Sequence, residues 1–230
     1  AKLSALGGKV HFAKADVGKF EDCERACQSI FAALGPIDTV INNAGISPKH
    51  QGLPAPIWKM ELEEWQQVVN VNLNSVFHFT RLLVPGMVDR RFGRIVNMSS
   101  VAGKAYLDIV GAHYSTTKAA LIGMTRHLAG ELGPHGITVN ALAPGRVETP
   151  MVLGAPEQAN KAVMATTPLR RLGKPVEVAD ACLFLMQTHN DSGLVNIGVG
   201  EDISILDLAK MVKQIVGFEG DIITDTTKET

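Results

Sequence analysis

Tyr114 and Lys118 stand four residues apart in the run Tyr114-Ser115-Thr116-Thr117-Lys118. On a helix that spacing places both side chains on one face, one turn apart. An ammonium held beside a phenol favours the phenolate, so the pair is expected to draw the tyrosine down from about 10 toward working pH. A phenol tuned in that way can both give and take a proton, which is general acid/base chemistry. The same spacing is common on solvated helix faces, so its meaning depends on what stands nearby. Ser100, Asn72 and the run Asn42-Asn43-Ala44-Gly45 are the polar residues that the chain sets at the ends of apolar segments or within a long helical pattern.

The elements that must carry these residues alternate strand and helix, the pattern of an α/β fold with a parallel sheet covered on both faces. Residues 9–15 read as a strand ending at Asp16, and 20–34 as a helix stopped by Gly35-Pro36. Residues 37–42 read as a strand, 62–84 as a long helix and 94–98 as a buried strand running into Ser99-Ser100. The helix bearing Tyr114 and Lys118 is expected over 112–132, followed by a strand over 137–142 that ends at Ala143-Pro144-Gly145. Each strand thus empties into a polar or glycine-containing loop, at the sheet edge where open parallel sheets bind ligands. Residues 150–172 read as a mobile connection with a short helix, either a lid or an ordinary surface excursion. Residues 1–8 look like the last turn of a helix followed by a Gly-Gly turn.

Five stretches resemble the short-chain dehydrogenase/reductase family in its single-domain branch: VINNAGI (40–46), VNVNLNSVFHFT (69–80), GRIVNMSSVAG (93–103), YSTTKAALIGMTRHLAGEL (114–132) and GITVNALAPGRVETPM (136–151). They occur in the family's order, and the resemblance as a whole extends over roughly residues 1–178. The resemblance implies a Rossmann-type doubly wound parallel sheet and an NAD(P)-dependent oxidoreductase. It makes Tyr114 the general acid/base and Lys118 the residue that lowers its pKa and holds the nicotinamide ribose. Ser100 then donates to the substrate oxygen, and Asn72 holds a water that links Lys118 to solvent. An asparagine in mid-helix is otherwise somewhat unfavourable, which agrees with a task there; Asn70 fits a solvated position. Ser99 is the alternative to Ser100, but the run Ser-Val-Ala-Gly aligns only with Ser100 as the reacting hydroxyl. Ser100 precedes Tyr114 by fourteen residues, where the family has twelve or thirteen, so an extra loop residue lies between Gly103 and His113.

For the cofactor, the resemblance implies that Asp16 and Val17 bracket the adenine and that Asn43, Ala44 and Gly45 admit the adenosine ribose. Pro144, Gly145, Val147 and Thr149 would meet the nicotinamide amide and the pyrophosphate. Family members open with a strand, a glycine-rich turn and a helix that cradle the pyrophosphate. No such motif follows a strand here, and Gly198-Val199-Gly200 is the nearest candidate. One βαβ unit is therefore expected to be absent, together with the residue that selects NAD or NADP, and weak cofactor binding by this chain follows.

Residues 179–230 resemble instead the carboxyl-terminal region of GDP-L-fucose synthases, in the extended branch of the same superfamily. That implies a helix, a strand, an amphipathic helix carrying Ile205, Leu208, Ala209, Val212, Ile215 and Val216, and a further strand. Glu201, Asp202 and Asp207 would cap the helix and partner its dipole. The expected organisation is a reductase domain over 1–178 joined to a borrowed tail over 179–230, a chimera.

Composition narrows the remaining choices. In 230 residues, 22 basic and 23 acidic side chains give a net charge of −1, without the basic footprint of a nucleic-acid binder. No apolar run approaches the ~20 residues that span a bilayer, and no secretory leader opens the sequence. Three cysteines make no disulfide framework. Cys23 and Cys27 share a helix face and read as packed thiols rather than half a metal site. The seven histidines (11, 50, 78, 113, 127, 135 and 189) show no ligand spacing, and a reducing cytoplasm is the default compartment.

The first functional reading is a ketoreductase resembling 3-oxoacyl-acyl-carrier-protein reductases, acting on a small carbonyl or acyl thioester. Arg91 would be placed to meet an acidic carrier protein, with His135 where a second basic residue is expected. The alternatives are a nucleotide-sugar epimerase/reductase, supported by the tail alone, and a catalytically incompetent scaffold. A homo-oligomer, dimer or tetramer, is expected through the helices at 62–84 and 112–132.

Overall fold

The computed structural model describes residues 9–154 and 156–187, all within one compact unit, Ala1–Ser192. The expectations for residues 1–8, for Gly198-Val199-Gly200 and for the tail beyond 187 lie outside the described residues.

Three parallel strands form the described sheet: β1 (Thr39–Asn42), β2 (Gly93–Met98) and β3 (Ile137–Leu142), in the order β1-β2-β3. Thr39 stands opposite Arg94, and Gly93 opposite Ile137. Side chains alternate between faces along a strand, and each face of β2 meets its own layer. Ile95 packs with Ile137 and Val139 against Cys27, Leu83, Met87 and Leu132. Those four come from α1 (Phe20–Leu34), α3 (Ser75–Arg90) and α4 (Ala112–Leu132). Val96 points the other way, with Leu142, onto Cys182 and Leu185 of α7 (Pro175–Gln187). Burial on both faces is what a parallel sheet requires. Helix α7 passes unbroken through residues 178 and 179.

Two expectations need correction. Residues 9–15 form no strand. A strand exists by its ladder, and among the described residues none lies beside this segment, nor on the free edge of β1. The long helix expected over 62–84 is three pieces, α2 (Leu62–Val69), a π-helical turn (Asn70–Asn74) and α3, and it continues to Arg90. The connection at 150–172 contains two short helices, α5 (Pro150–Leu153) and α6 (Glu157–Thr166). The helix at 112–132 and the strand at 137–142 form with the expected bounds.

Candidate active site

The polar residues gather at the carboxyl edge of the sheet. Along β2 the row that begins with Ile95 continues in Asn97, which is fully buried. Its Oδ1 accepts from Asn42 Nδ2 at 2.8 Å and its Nδ2 donates to Thr125 Oγ1 at 2.9 Å, tying β1, β2 and α4 together. Two residues further on, Ser99 Oγ donates to the Lys118 carbonyl at 2.6 Å. Ser100 opens a 3-10 turn (Val101–Gly103), and its hydroxyl accepts the Ala102 N–H at 3.1 Å. Gly103 closes that turn against the backbone of α4. A Cβ there would lie 2.7 Å from the Lys118 carbonyl carbon and 2.8 Å from the Ala119 nitrogen, so only glycine permits the contact.

Ser100 is thereby carried to Tyr114. A hydrogen bond from the Ser100 hydroxyl favours the Tyr114 phenolate, but burial of the ring outweighs it and holds the phenol above its ordinary value. The expectation that Lys118 would draw Tyr114 down is not met here. Lys118 lies 5.6 Å from the Tyr114 ring centroid, over its face, and its Nζ donates to the Met98 carbonyl at 2.6 Å. Burial brings Lys118 itself down to about 8, because the side chain is 4% exposed and the charged form is poorly solvated.

Asn72 sits inside the π-helical turn and is fully buried. Such turns insert one extra residue into a helix and recur at functional sites. Asn72 Oδ1 accepts the Ile46 N–H at 2.8 Å, while Nδ2 donates to the Ile46 carbonyl at 3.0 Å and to Thr117 Oγ1 at 3.3 Å. A Cβ on Gly45 would lie 3.5 Å from Lys118 Nζ and 3.6 Å from Asn72 Oδ1, so these three residues converge. Asn70, by contrast, bonds along the helix, accepting from Gln66 and Asn74. Ser100, Tyr114, Lys118, Asn72 and Gly45 therefore form one group, with Ser99 behind it as a backbone tie.

The remaining expected cofactor residues frame this group. Asn43 and Ala44 expose the chain as it leaves β1. Pro144 accepts the Val101 N–H at 3.1 Å, Gly145 is exposed, and Val147 pairs with Gly173. Thr149 caps α5 through its backbone carbonyl. Asp16 and Val17 lie just before α1. Asp16 Oδ1 accepts the Gly18 N–H, and a Cβ on Gly18 would lie 3.2 Å from Asn70.

Residues 1–195 match the family described as enoyl-(acyl-carrier-protein) reductase. The chain belongs to the short-chain dehydrogenase/reductase family. It is 41% identical over 182 residues to an acetoacetyl-CoA reductase of Allochromatium vinosum, an alignment covering 79% of this chain and 72% of the relative. It is also 41% identical over 184 residues to a 3-oxoacyl-acyl-carrier-protein reductase of Thermotoga maritima, covering 80% and 72%. Among solved structures it resembles a 3-oxoacyl-acyl-carrier-protein reductase from Brucella melitensis with bound NAD. That likeness has 47% identity and a TM-score of 0.75, over 84% of this chain and 70% of the other.

Within this short-chain dehydrogenase/reductase, two expected basic residues are misplaced. Arg91 immediately follows α3 and donates to the Pro134 carbonyl at 2.9 Å, and His135 ends the 3-10 turn before β3. Both precede their strands and so lie at the amino edge, away from Ser100. Sequence reasoning instead missed Lys49 and Arg146. Lys49, on the loop after β1, bonds the Ile109 carbonyl and is lowered by burial and by the nearby Arg146 guanidinium. Arg146 donates to Asn160 of α6 at 2.5 Å and is itself lowered by burial. No spacing links two cations 97 positions apart. The cysteines are free and buried, and among the described residues no His/Cys/Asp/Glu group could hold a metal. No described helix is long and apolar enough to cross a membrane.

Proposed function

We propose that the chain is an NAD(P)H-dependent ketoreductase that converts a 3-oxoacyl thioester or similar ketone to the secondary alcohol. The observation that supports this most is the gathering of Ser100, Tyr114, Lys118 and Asn72 at one sheet edge, with Lys118 Nζ 5.6 Å from the Tyr114 ring centroid. The names of the relatives agree with it. The residues suit a nicotinamide dinucleotide. Asn43 and Ala44 leave backbone open at the sheet edge, Lys118 keeps two further donors beyond its bond to Met98, and a side chain at Gly45 would fill the space between.

When bound, the reduced nicotinamide supplies the hydride. Ser100 donates to the carbonyl oxygen and holds it beside the phenol, polarising the bond. Tyr114, a neutral phenol that burial holds further above its ordinary value, gives its proton to that oxygen as the alkoxide forms. Lys118 stabilises the resulting phenolate. The Asn72–Ile46 contact offers a carbonyl lone pair to a water that returns the proton from solvent. One hydride and one proton reach the ketone, and the tyrosine is restored.

The carrier partner, if acidic, is better met by Lys49 and Arg146 than by Arg91. Self-association belongs to the same reading. Ala112, Thr116 and Ala119 of α4 line a groove of about 780 Å³ with Trp58 and Tyr106, which are 78% and 89% exposed. Buried free thiols suit the reducing cytoplasm.

Oxidation of NADPH and NADH with acetoacetyl-CoA tests the reading, with a simple ketone and crotonyl-CoA for comparison. Turnover of the 3-oxo substrate that disappears in Tyr114→Phe is expected. Full activity in that variant, or reduction of crotonyl-CoA alone, would overturn it.

A further inference from the structure

Three ionisable residues from three separate segments form a continuous chain that ends on the backbone of Tyr114. His113 is fully buried, and its Nδ1 accepts the Tyr114 N–H at 2.6 Å. On the other side of the ring Nε2 meets Glu64 Oε1 at 2.8 Å. The second oxygen of Glu64 is met by His50 Nε2 at 2.5 Å. Glu64 belongs to α2 and its side chain is 10% exposed, whereas His50, on the loop after β1, is 57% exposed.

The hydrogen-bond directions follow from the partners. Facing an N–H, Nδ1 of His113 must be the acceptor, so the neutral ring carries its proton on Nε2 and donates it to the carboxylate. The two histidines in turn bring Glu64 below the usual carboxylate range, overcoming its burial. Helix α4 has no side-chain cap at Gly111. The Tyr114 N–H reaches the Gly111 carbonyl at 3.1 Å, and the imidazole adds a second, shorter acceptor to the residue that bears the phenol. Gly111 makes room for it, since a Cβ there would lie 2.6 Å from His113 Cε1.

An imidazole wholly out of water and tied to a carboxylate costs more to place than an apolar ring of the same size. Its acceptor is spent on Tyr114 itself. The same carboxylate reaches the loop that carries Asn43 to Gly45, through His50. We infer that His113 and Glu64, steadied by His50, are positioning residues that fix the first turn of α4 so that the Tyr114 phenol rests against Ser100. The inference takes its catalytic meaning from the reading of Tyr114 as acid/base. It also couples the order of the 43–50 loop to the aim of the phenol.

The chain has two tyrosines, so in a Tyr106→Phe background tyrosinate absorbance reports Tyr114 alone, with neither substrate nor cofactor. Ser100 and Lys118, the groups facing the phenol, are kept in every variant. Glu64→Ala is expected to raise the Tyr114 midpoint by about half a unit or more as the Ser100 bond is lost. It should also lower kcat by about tenfold while KM stays within about threefold. Glu64→Gln keeps an oxygen facing His113 and should restore both values. His50→Ala, at an exposed position, should give a smaller shift of the same sign and remains measurable should Glu64→Ala not fold.

A folded Glu64→Ala with the parent midpoint would overturn the inference, as would a parent midpoint in His50→Ala if that variant alone can be measured. Should the midpoints move while no form reduces any ketone, the ketoreductase reading falls and the positioning role stands. With an active reductase whose midpoint ignores Glu64, the ketoreductase reading stands and the positioning role falls.

Discussion

The two ends of β2 are built from opposite materials. At its amino half, Ile95 and Val96 are buried among Met87, Leu83, Ile137, Leu142 and Leu185. At its carboxyl end Asn97 and, just past the strand, Ser99 and Ser100 are buried, with Asn97 bonded to Thr125 and Ser99 to the Lys118 carbonyl. Burial is comparable at both ends, so exposure alone does not separate them. Apolar contacts contribute in proportion to area and tolerate small displacements. Buried hydrogen bonds contribute little net stability, but they penalise any arrangement that leaves a partner unpaired. The amino half holds the sheet together; the carboxyl half fixes where four side chains stand.

The largest effect that could break this division is kinetic. Tyr114→Phe keeps the ring and should lower turnover about 10²- to 10⁴-fold, with a thermal midpoint close to the parent's. A fall in stability to match would mean that the phenol is structural. At the other end, Ile95→Ala should cost about 2–5 kcal/mol in urea unfolding. It should leave the Tyr114 titration in place, and a shifted titration would show that the two halves are not separable.

Lys118 offers a test by pH. Its folded pKa, about 8, lies below the unfolded value of 10.5, so the folded state is penalised wherever the lysine is charged. That penalty is complete below pH 8 and disappears as pH rises to 10.5, worth up to about 3 kcal/mol. Lys118→Met should therefore be less pH-dependent than the parent over that window, as read by denaturation at pH 7 and 10. Parallel curves would place the ammonium in water. Asn97→Leu, which strands Asn42 Nδ2 and Thr125 Oγ1, should cost about 1–3 kcal/mol. The smallest effect is expected from Ser99→Ala, about 1 kcal/mol for one lost tie to the Lys118 carbonyl. An activity loss there as large as for Ser100→Ala would undo the distinction between the two serines.

What the sequence disclosed follows from range. The helix at 112–132 and the strand at 137–142 are set by local periodicity, and they form as read. Residues 9–15 have the same local pattern but no ladder, because pairing is decided elsewhere in the chain. Tyr114, Lys118, Ser100 and Asn72 were legible as motifs and do converge. The direction of the Tyr114 shift was not, since it depends on how deeply the ring is buried and on which way Nζ points. His113 and Glu64 lie 49 positions apart in no recurring spacing, so nothing in one dimension joins them. Asn72 drew notice as a polar residue in mid-helix, yet the extra residue in its turn left no mark in the sequence.

That extra residue sets regularity against use. From Leu62 to Arg90 the chain holds one residue more than an even spiral of hydrogen bonds would accommodate, and the surplus is placed at Asn72. Deleting it should yield a straighter rod and rotate everything before the gap by roughly 100° relative to everything after it. Val68 and Leu83 could then not both face the core, and the amide that grips Ile46 would be gone. A redesign that rewarded only smooth helices would thus remove the one irregularity on which the arrangement of the site depends.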